Sequence, residues 1–244
     1  MLFRKPVGRF SSAGGPLRPI DRGTPDQKRV DSGADTGARL WLCVYLPQLP
    51  LDVYVRAQPD PGTLAIHDGH ARTPCVIAAT AMARAAGVQA GMHLEAAHAL
   101  CAGLRALARD AVAEQRLLHN FATWCGRFSS LITLVPPDTV LVEVRGSLRL
   151  FGGIEPLWQA VQKGVRGLGF TAQLALAPSP LAATWLARAG VAAKVVGQGG
   201  LVRQLSQLPL DVLRLDGRDH ASLRGMGLRR LGDVLRLPRA GLAR

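Results

Sequence analysis

The chain has 244 residues, 48% of them hydrophobic, with a formal net charge of +13. That apolar content can bury the core of one large or two small domains, which excludes a disordered chain. No stretch approaches the roughly 18 to 20 apolar residues of a membrane span, and no apolar core follows Arg4, Lys5 and Arg9, so neither a membrane anchor nor a secretory leader is expected.

Residues 1–38 mix Gly, Pro, Ser, Arg and Asp without periodicity, and read as a disordered extension or an over-long start. The run LWLCVYL, Leu40 to Leu46, suits a buried strand, and Pro47 and Pro50 end it. Cys75–Ala78 predicts a second strand. An Ala-rich helix, turns at Gly87-Val88 and Gly91-Met92, and a helix ending near Cys101 follow it.

Residues 110–130 predict an amphipathic helix, because Val112, Leu117, Leu118, Phe121, Trp124 and Cys125 recur at three- and four-residue steps. It is expected to pack on a sheet of strands around residues 42, 132 and 142. Val140, Val142 and Val144 alternate with Leu141, Glu143 and Arg145, the period of two of a half-buried strand. Gly146-Ser147, a second apolar run to Phe151, and Gly152-Gly153 come next, and such glycine pairs permit sharp turns or close approach. Glu155–Leu168 predicts a helix closed by Gly167 and Gly169. A strand over Ala172–Ala177, a Pro-Ser-Pro turn and a helix through Arg188 complete the segment. Strand, helix, strand, strand, helix, strand is the order of a ferredoxin-like sheet.

The C-terminal segment carries a separate signal. Residues 201–244 hold nine arginines against four aspartates, which fits contact with a phosphate backbone. A GC-rich genome that favours arginine gives the same count. Leu223 precedes Gly225-Met226-Gly227, and Leu228, Leu231, Val234 and Leu235 give an amphipathic helix ending before Pro238. This pattern resembles a helix-hairpin-helix, with Gly225 and Gly227 offering amides to a phosphate and Arg224, Arg229 and Arg230 adding charge. Plain packing of two short helices gives a similar pattern.

Other chemistry is sparse. Cys43, Cys75, Cys101 and Cys125 are scattered without a CxxC pair, which predicts reduced, mostly buried thiols and no zinc site. His67 and His70, in a glycine-containing loop, have no third ligand nearby and read as surface residues. No GxxxxGK[ST] loop and no grouping at nucleophile spacing appears.

The order acid, strand, Gly-Ser, Arg-Leu-Phe-Gly-Gly over Asp138–Gly153 resembles the central palm strand of Y-family (UmuC/DinB-type) translesion DNA polymerases. The resemblance covers residues 39–244. It implies an α+β fold: a ferredoxin-like polymerase palm (39–58 and 109–196), small inserted fingers (59–108), and a partial thumb with a helix-hairpin-helix (197–244). It also exposes what is missing. The family holds its metals with an acidic pair before this strand, where this chain has Asp138-Thr139. Its first strand carries an aspartate and a second acidic position, which fall on Tyr45 and Pro47, while Leu49 and Pro50 fall on its aromatic gate. In the fingers Ala81 replaces a tyrosine while Arg84 remains, a remnant phosphate grip or a solvated surface residue. Ser179-Pro180 stands where the family has Asn-Lys.

Two-metal phosphoryl transfer needs convergent carboxylates around magnesium. Here Asp138 alone is kept, and Glu143, an odd number of residues away on an extended segment, faces the other side. No catalytic residue and no metal or other cofactor is therefore expected, the magnesium site being lost. Retained palm wording with lost carboxylates resembles the ImuB-type branch, catalytically inactive homologues in the bacterial mutasome. That branch implies a cytoplasmic, nucleoid-associated adaptor of error-prone translesion synthesis in damage-induced (SOS) mutagenesis. Its partners are DNA, an error-prone replicative-type polymerase, a RecA-like protein and the sliding clamp. The QLPL strings at Gln48–Leu51 and Gln207–Leu210 lack a terminal aromatic and read as structural, not as clamp peptides. The chain is expected to stop before the family's little finger. An active polymerase and a helix-hairpin-helix DNA-binding protein with an unrelated α/β domain are the alternatives.

Overall fold

The computed structural model describes residues 39–237 except 57, 59, 70, 71 and 196–199; the extension expected over 1–38 lies outside the described residues. The first apolar run forms β1 (Trp41–Tyr45) and stops before Pro47, as its proline demands. Pro50 then starts an element the sequence reading did not assign, α1 (Leu49–Val55). In a first helical turn the missing N–H has no intrahelical partner to lose, and the fixed φ already suits the helix. Leu49 and Leu51 are buried there, so the first QLPL string is part of the fold.

Next come β2 (Leu64–His67), β3 (Val76–Ala79), α2 (Ala81–Ala85), α3 (Leu94–Leu100) and β4 (Arg105–Ala108). They build a three-stranded sheet of order β3-β2-β4, in which β2 runs antiparallel to β3 and parallel to β4. The Thr80 hydroxyl caps α2 by accepting from the Ala83 amide, which places the start of that helix at the strand end. His67 belongs to β2 and not to a loop, and its Nδ1 accepts from the Gly69 amide; His70 lies outside the described residues.

Asp110 caps α4 (Ala111–Cys125), shorter at its C-terminal end than the predicted 110–130. β5 (Ile132–Val135) and β6 (Thr139–Glu143) follow as a hairpin. The second apolar run, Leu148–Phe151, is one helical turn, α5. It ends at Gly152 and Gly153, both at positive φ, where a side chain would be strained. After α6 (Ile154–Gly167) come β7 (Gln173–Ala177) and α7 (Pro180–Arg188), the latter capped by the Ser179 hydroxyl.

Strands β5-β6-β1-β7 form a four-stranded sheet in that order, with every neighbouring pair antiparallel. This is the strand order the βαββαβ pattern predicts. One expectation needs correcting. β6 is buried on both faces, because it lies inside the sheet and both faces of the sheet are covered. Val140, Val142 and Val144 join Leu42, Val44, Phe121, Leu157 and Val161 beneath α4 and α6. Leu141 faces the other way, with Trp41, Cys43 and Ala175 under Ala183 and Leu186 of α7. Each fully buried leucine or valine in these layers contributes about 1.5–3 kcal/mol.

The remaining chain packs on the α7 side. It comprises α8 (Leu201–Ser206), a 3-10 turn at Leu210–Leu213, α9 (Gly217–Gly225) and α10 (Leu231–Leu235). Leu208, Leu210, Val212 and Leu231 enter the same apolar layer as Leu141 and Leu186, so the second QLPL string is structural too. Cys43, Cys101 and Cys125 are buried free thiols and Cys75 is half-buried. Among the described residues no helix is long and apolar enough to cross a membrane.

Candidate functional site

The site lies where β1 ends and β6 begins. In the antiparallel register Tyr45 stands opposite Thr139, and the Leu46 amide donates to the Asp138 carbonyl at 2.9 Å. Pairing of two apolar strands thus brings Tyr45, Asp138 and Thr139 together, as the family resemblance implies. Pro47 follows in the turn after β1. The buried Thr139 hydroxyl donates to Asp138 Oδ1 at 3.0 Å, which fixes the carboxylate's orientation.

A residue that sequence reasoning missed completes the arrangement. Arg214 Nη2 donates to Asp138 Oδ2 at 2.6 Å, Nη1 donates to Oδ1 at 3.0 Å, and Nη2 also donates to the Tyr45 hydroxyl at 3.0 Å. Its guanidinium carbon lies 5.2 Å from the Tyr45 ring centroid, within cation–π range. Burial opposes the charge on Arg214, but hydrogen bonds and charge from Asp138, then Tyr45, outweigh it and raise its pKa. Arg188, on α7, also feels this cluster: burial first, then Arg214, lowers its pKa, while Asp138 works the other way. Nothing in a sequence pairs positions 138 and 214. The local sequence offers one arginine between Leu213 and Leu215 before Asp216-Gly217.

This donor set does not fit a pair of divalent ions. Both oxygens of the one carboxylate already accept from a planar fork, the strongest common geometry for such a pair. Glu143, at the far end of β6, accepts from the Leu40 and Arg145 amides instead. Cys43 offers no thiolate, since burial pushes its pKa up to about 12. Among the described residues no three His, Cys, Asp or Glu side chains converge.

The other family positions are scattered. Ser179 and Pro180 serve the start of α7, the serine as cap and the proline in the first turn. Arg84 sits on α2 beside the three-stranded sheet, and its Nη1 donates back to the Ala79 carbonyl at 2.6 Å. Neither joins the Arg214–Asp138 pair.

The basic hairpin forms around α9 and α10. Gly225 is the last residue of α9, and Gly227, at φ +82°, makes the turn. The Gly227 amide donates to the Arg224 carbonyl at 2.9 Å. The Arg229 and Arg230 amides both donate to Asp233 Oδ2, at 3.0 and 2.9 Å, and the Leu231 amide donates to the Leu208 carbonyl. Of the two glycine amides expected to meet phosphate, that of Gly227 is therefore bonded internally. Side-chain charge is what the hairpin has left to offer. Arg224 and Arg229 line a notch of about 200 Å³, and Arg224 lies 3.5 Å from Asp211. Arg230 Nη1 donates to Gln207 Oε1 at 2.6 Å.

Comparison with known proteins gives a family and a shared fold. Residues 56–188 match the impB/mucB/samB family. Protein ImuB of Caulobacter vibrioides is 31% identical over 158 residues, covering 65% of this chain and 34% of that protein. The chain therefore spans about a third of the length of the curated relatives it matches. Among solved structures, DinB from Sulfolobus solfataricus superposes with a TM-score of 0.64 at 18% identity. It covers 83% of this chain and 62% of that one. An insertion ternary complex of Dbh DNA polymerase gives 0.65 at 18% identity, with the same coverage. At that identity the likeness is one of fold.

Proposed function

Because this chain belongs to the impB/mucB/samB family, we propose that it is a polymerase-like protein of DNA-damage tolerance that meets DNA without copying it. The observation that carries this reading is the forked Arg214–Asp138 pair at the strand ends, where the fold would otherwise gather its catalytic carboxylates. A transferred phosphoryl group needs metal ions to neutralise its charge, and one carboxylate already neutralised by arginine supplies no site for them. In this reading the four-stranded sheet is the palm (39–58 and 109–196), the three-stranded sheet the fingers (59–108), and 197–244 a partial thumb. The helix-hairpin-helix of that thumb meets DNA through Arg224, Arg229 and Arg230 around Gly225 and Gly227. Arg84 is a phosphate-gripping remnant on α2 that now braces the end of β3.

Kinship with ImuB supports the finer reading: a cytoplasmic, nucleoid-associated adaptor that brings an error-prone replicative-type polymerase, a RecA-like protein and the sliding clamp to damaged DNA. Primer extension separates the adaptor from an active polymerase. The purified chain is expected to bind duplex DNA in a salt-dependent manner and to add no nucleotide in magnesium or manganese. Template-dependent extension would overturn the non-catalytic reading. Absence of DNA binding at low salt would overturn the DNA-meeting one.

A further inference from the structure

We propose that Arg214 is a built-in cation of the degenerate carboxylate site, fastening the Leu210–Arg214 segment to the ends of β1 and β6. A metal ion at such a site is exchangeable and brings no chain with it. A guanidinium is tethered, so whatever satisfies Asp138 also fixes the backbone that carries the arginine. The question is whether the pair is a solvated surface contact, worth almost nothing, or an anchor.

Four observations favour the anchor. Three oxygens from two chain-distant residues converge on one guanidinium: both of Asp138 and the Tyr45 hydroxyl. The acceptor is largely withdrawn from water, with the Asp138 side chain 13% exposed and that of Arg214 34%. The Thr139 hydroxyl donates to the same carboxylate, so a second donor holds the acceptor. Finally, Arg214 has a left-handed backbone, φ 51° and ψ 46°, directly after the 3-10 turn. A non-glycine residue adopts that conformation at a cost and keeps it only where the surroundings over-determine it.

The surroundings that do so can be named. Leu210 and Val212 are buried against the α7 side of the sheet, and Arg188 Nη1 donates to the Val212 carbonyl at 3.3 Å. The 3-10 turn is thus seated by apolar contacts from behind. From that seat the left-handed residue sends its side chain to the strand ends. Apolar burial fixes where the turn lies, and the forked pair fixes how its last residue is turned. The link needs neither a divalent ion nor a bound nucleotide, and it does not depend on whether the protein binds DNA.

The test is a double-mutant cycle on Arg214→Met and Asp138→Asn, read by urea denaturation and by hydrogen exchange of the Val212 and Arg214 amides. Each single variant is expected to lower the folding equilibrium constant about tenfold, the low end for hydrogen bonds to a charged group. Each should also speed exchange of those two amides, and the double variant should do no worse than either single one. Arg214→Lys, which keeps charge but loses the fork, should fall between wild type and Arg214→Met. Added manganese should leave wild-type exchange unchanged. Effects that multiply in the double variant, singles indistinguishable from wild type, or manganese that loosens the wild-type turn would each overturn the proposal.

Discussion

Gly164 on α6 and Trp124 on α4 meet with no room for a methyl group: a Cβ at position 164 would lie 2.8 Å from the indole Cη2. The contact sets how closely the two helices covering the four-stranded sheet can approach. Gly164→Ala gains helix propensity but overpacks this contact. We expect a net loss of about 1–2 kcal/mol, overpacking of 1–3 kcal/mol outweighing the gain of up to about 1. A urea midpoint at or above wild type would show that the indole moves aside without cost.

Asp52 makes stability depend on pH. Its side chain is buried, with Oδ2 unpartnered, and burial pushes its pKa up to about 7 against the opposing Thr171 amide and Arg56 charge. The folded state therefore holds a proton that the unfolded state releases near pH 4. The stabilising contribution is complete below about pH 4 and lost as pH rises through about 7, at up to about 1.4 kcal/mol per pH unit. Asp52→Asn keeps an acceptor for the Thr171 amide and removes the ionisation. It should be more stable than wild type at pH 8, with the gap closing towards pH 5. Parallel urea midpoints across that range would contradict this.

Placing acids at positions 45 and 139 should not confer nucleotide addition. Tyr45→Asp with Thr139→Glu returns carboxylates to the strand ends, but Arg214 is already forked onto Asp138. Pro47 and the Ser179-Pro180 start of α7 remain. Primer extension by this double variant in magnesium or manganese should stay at background.

Replacing Arg224, Arg229 and Arg230 with alanine should weaken DNA binding and flatten its salt dependence. Each phosphate contact contributes about −0.9 to the slope of log K against log salt, so three contacts give a change of roughly two to three units. Since Arg230 is held by Gln207 and Arg224 lies near Asp211, the single Arg229→Ala variant should show the largest individual effect. Titrations at several salt concentrations measure this directly. An unchanged triple-mutant slope would mark the hairpin as a solvated surface.

How much of this was readable beforehand follows from locality. β1 and β6 were legible because short apolar runs bounded by prolines and glycines have few other uses, and their pairing put Tyr45 beside Asp138. The helix α7 was legible from its Ser-Pro start. β2 and β4 were not, because Leu-Ala-Ile-His and Arg-Ala-Leu-Ala show no alternation that separates strand from helix. α1 was hidden because proline stops a strand and starts a helix with equal ease. Arg214 was invisible for another reason: its role depends on a partner 76 residues away and on a backbone conformation no local rule assigns to arginine.

The seating of Arg214 also acts as a ratchet on sequence change. An aspartate gained at position 45 would exchange the tyrosine hydroxyl for a charged acceptor beside a guanidinium already in place, while an acid at buried position 139 would remove the hydroxyl that holds Asp138. Removing the arginine first would leave Asp138, part-buried, without its forked partner. Each single substitution of this kind therefore leads to a state that is either more firmly closed to a cation or less stable. A cluster of carboxylates open to a cation would need simultaneous substitutions in segments far apart in the chain.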